Sequence, residues 1–246
     1  MILPAQLSAG SLLALIALSF LTSLITASLS VGGGSLLVSA LALVLPPAVV
    51  IPVHGCVQLG SNAGRAWLQR AHIQWHLILW IAAGAAIGSL AGGRLVAVLP
   101  ERWFDAAIGL FVLVTTWLPS PTAIVNSRVL QFIGGAVVSA VGMVVGAAGP
   151  LIAAFLRGIP DRRQLVATQA TLVALQHVFK VLVFIALGFA FGRYLVLILL
   201  MVASGFAGTA LGSRLLARLP ESIFRVAFRI MLSLIAIGLI WQALAR

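Results

Sequence analysis

Val31-Gly32-Gly33-Gly34-Ser35 interrupts a largely apolar run that otherwise continues from Leu7 to Leu45. Three consecutive glycines lose too much backbone entropy to sustain a helix. Ser35 is of a residue type that caps helix N-termini, so the pattern predicts a helix restarting there and ended by Pro46-Pro47. Such a helix has about eleven residues and spans about 16 Å at 1.5 Å per residue, roughly half of a 30 Å hydrocarbon core. It therefore begins near mid-membrane with unbonded amides, which are tolerated there only inside protein or along a cavity. The partial positive charge of a helix N-terminus suits an anion, and broken helices of this kind build the sites of secondary transporters.

The rest of the chain agrees with a membrane setting. Of 246 residues, 62% are hydrophobic and 8% charged, where a soluble domain carries about a quarter charged, and mean hydropathy is +1.21. Long apolar runs without alternation indicate helices rather than a barrel. The N-terminal run, about 7–31, lacks a basic n-region and reads as a spanning helix rather than a cleaved signal. Net charge is +11, which in this setting indicates basic loops and attraction of an anion or of anionic lipid, not nucleic acid. Cys56 is the sole cysteine, which excludes an intramolecular disulfide or a thiolate metal site. No cofactor motif and no catalytic motif (HExxH, GxSxG or P-loop) occurs, so the reading is of a non-enzyme.

Hydrophobic segments fall at about 7–31, 35–45, 48–64, 75–99 and 104–118, then at about 129–147, 150–156, 164–187, 194–217 and 223–244. The two sets correspond. Gly88, Gly92, Arg94, Leu95, Leu99, Pro100, Glu101 and Phe104 recur 120 positions later as Gly208, Gly212, Arg214, Leu215, Leu219, Pro220, Glu221 and Phe224. Earlier parts match at an offset of 115, pairing Gly34 with Gly149 and Arg65 with Lys180. The chain reads as a duplication, with a first transmembrane repeat over 1–122 and a second over 123–246.

A unit of five segments implies halves inverted in the membrane, and the charges agree. The 65–74 loop carries Arg65 and Arg70, a cytoplasmic signature, whereas the Pro46-Pro47 turn is uncharged. In the second half the corresponding turn, Arg157 to Arg163, is basic, and Arg218 and Arg225 flank Glu221. If the short helices are re-entrant, inversion survives with fewer full crossings, between six and ten in all. Small residues at spacing four, Gly84-Gly88-Gly92 and Ser204-Gly208-Gly212, predict close helix packing. Trp67, Trp75, Trp103, Trp117 and Trp241 lie near segment ends, where an aromatic belt forms.

The second half has its own break, Gly146-Ala147-Ala148-Gly149-Pro150, with proline suited to a first helical turn. Inversion would bring the two helix starts together near the midplane. The helix after each break carries the polar groups at membrane depth: His54, Gln58, Ser61, Asn62 and Arg65 in one half, Thr168, Gln169, Thr171, Gln176, His177 and Lys180 in the other. Spacings of four put His54, Gln58 and Asn62 on one face. The offset pairs His54 with Gln169 and Asn62 with His177. Polar groups at this depth are costly and tend to be functional, although single buried histidines are commonly structural. The candidate substrate-binding set is Gly32, Gly33, Gly34, Ser35, His54, Gln58, Asn62, Arg65, Gly149, Thr168, Gln169, His177 and Lys180. No acid lies mid-segment, which disfavours a site for bare cations and leaves His54 or His177 to titrate near neutrality.

A glycine-rich break, a short apolar helix, a Pro-Pro turn, a polar helix ending in basic residues and a glycine-striped helix running to Arg-Leu and Leu-Pro-Glu, all duplicated, resembles the TauE/SafE sulfite exporter family. GGGSLLVSALALVLPP and the twin RL…LPE strings carry the resemblance most specifically. It departs at Pro52-Val53-His54, where the family has Gly-Thr-Ser, at the diluted glycines of the second break, and at Pro160-Asp161. The resemblance implies transport of a small sulfur-containing anion such as sulfite, sulfoacetate or thiosulfate. The expectation is an all-α polytopic membrane protein of two inverted repeats, in a bacterial inner membrane. It would move a small anion by alternating access, with protons as a candidate coupling ion. An anion channel, or a carrier of an unrelated small organic anion, is the alternative.

Overall fold

The structure, a computed structural model, describes residues 8–29, 32–98, 100–117, 127–146, 148–156 and 158–215, with isolated positions between 230 and 244. Among these residues the chain forms helices and no strand: α1 (Ala9–Leu29), α2 (Gly33–Val44), α3 (Pro47–Leu68), α4 (Trp75–Val98), α5 (Glu101–Trp117), α6 (Arg128–Val145), α7 (Gly149–Phe155), α8 (Arg162–Ala186) and α9 (Leu195–Leu215). Helices α1, α4, α6, α8 and α9 are long and apolar enough to cross a membrane, which makes this an integral membrane protein. Most of the segment anticipated at 223–244 lies outside the described residues. So do Val31, Leu99, Ala147, Arg157, Arg218, Leu219, Pro220, Glu221, Phe224 and Arg225.

The first break differs from expectation in its register. Helix α2 starts at Gly33, two residues before Ser35, with Gly32 as its cap at φ 101°. The Leu36 amide donates to the Gly32 carbonyl at 3.0 Å. Gly32 thus has positive φ, which glycine adopts without strain. Gly33 and Gly34 then occupy a first turn whose amides need no intrahelical partner. Gly146 at the second break also has positive φ, 81°, and α7 begins at Gly149 as anticipated. Pro46 and Pro47 separate α2 from α3, with Pro47 at the first helical position, where its missing donor costs nothing.

Packing joins the halves to each other rather than each to itself. The two most extensive helix contacts are α4 on α6 and α1 on α9, followed by α3 on α8. The small-residue stripes explain the first two. Added side chains at Gly84, Gly88 and Gly92 would run into the carbonyls of Phe132, Ala136 and Ala140. At Gly208 and Gly212 they would meet those of Phe20 and Leu24, and the Ser204 hydroxyl donates to the Ile16 carbonyl at 2.8 Å. The contacts correspond pair by pair between the halves. Backbones this close gain dispersion and weak C–H···O contacts that lipid cannot supply. Trp67, Trp75, Trp103, Trp117 and Trp241 are all exposed.

Candidate functional site

Helices α3 and α8 pack against each other and carry most of the buried polar side chains outside α1, including every buried histidine, lysine and arginine among the described residues. Their facing surfaces, with the starts of α2 and α7, enclose a cavity of about 30 Å³, room for about two water molecules. Gly32, Gly34 and Ser35 line it from the first break, and Ala148, Gly149 and Pro150 from the second. His54, Gln58 and Asn62 enter from α3, and Gln169 and His177 from α8.

Two hydrogen bonds tie the polar helices to the breaks in the same way. His54 Nε2 lies 3.0 Å from the Gly34 carbonyl oxygen, and Gln169 Nε2 donates to the Gly149 carbonyl at 3.2 Å. Each spans twenty residues and joins positions that match at the 115-residue offset. A side chain anchored on a carbonyl at the mouth of the break keeps that carbonyl from facing the cavity unbonded. Asn62 Nδ2 donates to the Gln58 carbonyl at 2.8 Å and to Gln58 Oε1 at 3.0 Å, which orients the Gln58 amide beside Gly34.

The rings of His54 and His177 meet edge to face, 5.7 Å between centroids. The Nδ1 atom of His177 and the Ser35 hydroxyl are buried without a hydrogen-bond partner. Such atoms cost free energy unless a guest satisfies them. The cavity thus presents helix amides, a hydroxyl, two imidazoles and amide side chains, with no carboxylate among its lining residues.

Four of the anticipated residues have other surroundings. Gly33 faces α1, where an added Cβ would overlap the Thr22 carbonyl and the Thr26 hydroxyl. The Thr168 hydroxyl accepts from the Gln74 amide at 3.0 Å, tying α8 to the loop after α3. Lys180 is fully buried and donates to the carbonyls of Gly142 at 2.9 Å and Gly146 at 2.7 Å. It thereby neutralises the C-terminal end of α6, where carbonyls lack helical partners and the dipole favours a cation. Arg65 is buried in the last turn of α3, and its Nε and Nη2 have no partner.

Thr26, Val173 and Ala148 line the cavity without having been anticipated. Thr26 was legible in principle, because Ser19, Thr22, Ser23 and Thr26 put a polar strip on the otherwise apolar α1, and all four are buried.

A family model described as Sulfite exporter TauE/SafE matches residues 15–239. No curated protein and no solved structure matches the chain.

Proposed function

The chain belongs to the sulfite exporter TauE/SafE family, and from that premise we propose that it is a secondary transporter of a small anion, with a sulfur oxyanion or organosulfonate as the favoured cargo. The observation that carries the reading is the central cavity, which both helix breaks line and whose lining holds the unpartnered Ser35 hydroxyl and no carboxylate. The α2 amides, the Ser35 hydroxyl and the side chains of His54, Gln58, Asn62, Gln169 and His177 would hold the anion. Lys180 and Arg65, each buried beyond the cavity, would add positive potential without contact.

The repeats 1–122 and 123–246 would be inverted in a bacterial inner membrane, with α2 and α7 as the broken elements that meet at the site. The pairwise match of contacts between the halves supports this arrangement. Such symmetry gives two equivalent ways of packing one half on the other, which is what alternating access requires. Protons would couple through the histidines.

Purified protein in proteoliposomes, screened with sulfite, thiosulfate, sulfoacetate and unrelated anions, tests the proposal. Saturable uptake with counterflow is expected for one of the sulfur anions. Non-saturating flux without counterflow would instead identify a channel, and uptake restricted to unrelated organic anions would remove the sulfur assignment.

A further inference from the structure

A second cavity, of about 220 Å³, opens between the loop after α3 and the turn before α8, where Gln74, His76 and Gln164 line it together with Ile81 and Phe155. Ile81 and Phe155 also line a small apolar space of about 10 Å³, shared with Ile152, Leu172 and Gln176. On α8, Leu172 and Gln176 face that small space while the adjoining Val173 and His177 line the central cavity. On α7, Ile152 and Gly149 divide in the same way. The outer cavity and the small space thus share Ile81 and Phe155, and neighbouring residues of α7 and α8 separate the small space from the central cavity.

The geometry points to a gated passage between the central site and the side of the membrane that carries the 157–163 turn, closed by the Phe155 ring against Gly134 and by Ile81. This inference rests on the transport reading above. Gly134 leaves the room the ring needs, since a Cβ there would overlap its Cε2 and Cζ atoms. The seal is thin. Ile78, Ile81, Ile152, Leu156, Leu172 and Val173 form a hydrophobic cluster of their own. The residues matching the first five by duplication, Ile198, Met201, Leu37, Leu41 and Val57, all belong to the large central core. The match for Phe155 is Ala40. One half is thus closed by the bulk of the core and the other by a small cluster and a ring that can swing about two side-chain torsions. Apolar constrictions of this kind exclude water and ions until a side chain moves.

The passage is tested by thiol accessibility without substrate. Val173→Cys is introduced in a Cys56→Ser background, and vesicles of either orientation are treated with a charged, membrane-impermeant thiol reagent. Phe155→Ala is expected to raise the labelling rate at position 173 severalfold from the side of the 157–163 turn only, and Phe155→Trp to lower it. Equal rates in all three proteins, or a rise from both sides, would overturn the gate. Retained protein yield and the opposite response of the two variants separate gating from unfolding. Protection of the position 173 thiol by methanesulfonate, inert toward the reagent, reports on the substrate reading independently. If protection is absent while the rates respond to Phe155, the gate stands and the cargo assignment falls.

Discussion

His54 of α3 and His177 of α8 touch edge to face, with 5.7 Å between ring centroids and 72° between planes, although they come from opposite halves of the chain. Both line the central cavity.

This pair leads to a prediction about pH. A protonated imidazole adds positive charge to the cavity, so anion affinity is expected to rise as pH falls through the range where the pair titrates. Linkage makes the effect reciprocal, with a coupling of about 1–3 kcal/mol. His54→Gln is a conservative probe, because Gln169 makes the matching bond to Gly149 and glutamine can therefore serve at this position. Uptake measured against pH in His54→Gln, His177→Gln and the double variant should show a flattened profile. Profiles that coincide with the wild type would make both histidines structural.

The glycines of the breaks should separate by role. A Cβ at Gly149 meets nothing within 4 Å although the residue lines the cavity. Gly149→Ala is therefore expected to leave thermal stability unchanged while weakening anion binding by about tenfold, or about 1.4 kcal/mol. Gly33→Ala would drive a methyl into the α1 backbone and should lower the melting temperature instead. Gly34→Ala lies between these, pressing on the Gln58 amide at 3.0 Å. Thermal shift and binding assays on the three proteins check the order.

Lys180→Met removes the cation that the Gly142 and Gly146 carbonyls share. Bonds to a charged group contribute about 1.5–3 kcal/mol each, and two buried carbonyls would be left bare. A marked loss of thermal stability in detergent is expected, larger than for His54→Gln. A Lys180→Met protein as stable as the wild type would show that water replaces the ammonium.

Asp161 caps α8, accepting from the amides of Arg163 at 2.7 Å and Gln164 at 3.2 Å. These bonds hold its carboxyl below the ordinary carboxylate value, with the nearby His72 and Arg163 adding to the effect. A folded value that is depressed stabilises the helix start above the unfolded value, about 3.9, and that contribution fades as pH falls through the folded one. Asp161→Asn keeps a good cap but should remove this acid-side dependence. Melting temperatures of both proteins measured between pH 6 and pH 3 give the comparison.

Inversion predicts that the Pro46 and Gly158 turns, both exposed, lie on opposite sides of the membrane. Single cysteines at these positions in a Cys56→Ser background should label from opposite faces of oriented vesicles. Labelling from one face alone would remove the inverted arrangement.

Much of this protein was legible in the sequence because the signals are local. Hydropathy marks the helices and prolines their ends. The glycine run marks the break before α2, and repeated strings are the basis for reading a duplication. Membership of the TauE/SafE family follows from the same strings, and the family model covers nearly all of the chain. The register of the break was less legible. Ser35 reads as a cap by type, yet Gly32 takes that role because only it reaches φ 101° without strain. What tertiary structure decided is which polar groups share a space. His177 lines the cavity while Thr168 on the same helix bonds the Gln74 amide, and Lys180 caps α6 instead of facing the cavity. Gly33 packs on α1 while its neighbour Gly34 lines the cavity. These outcomes depend on how each helix is rotated about its axis. The glycine stripes of α4 and α9 likewise set how closely α6 and α1 approach, across segments far apart in the chain.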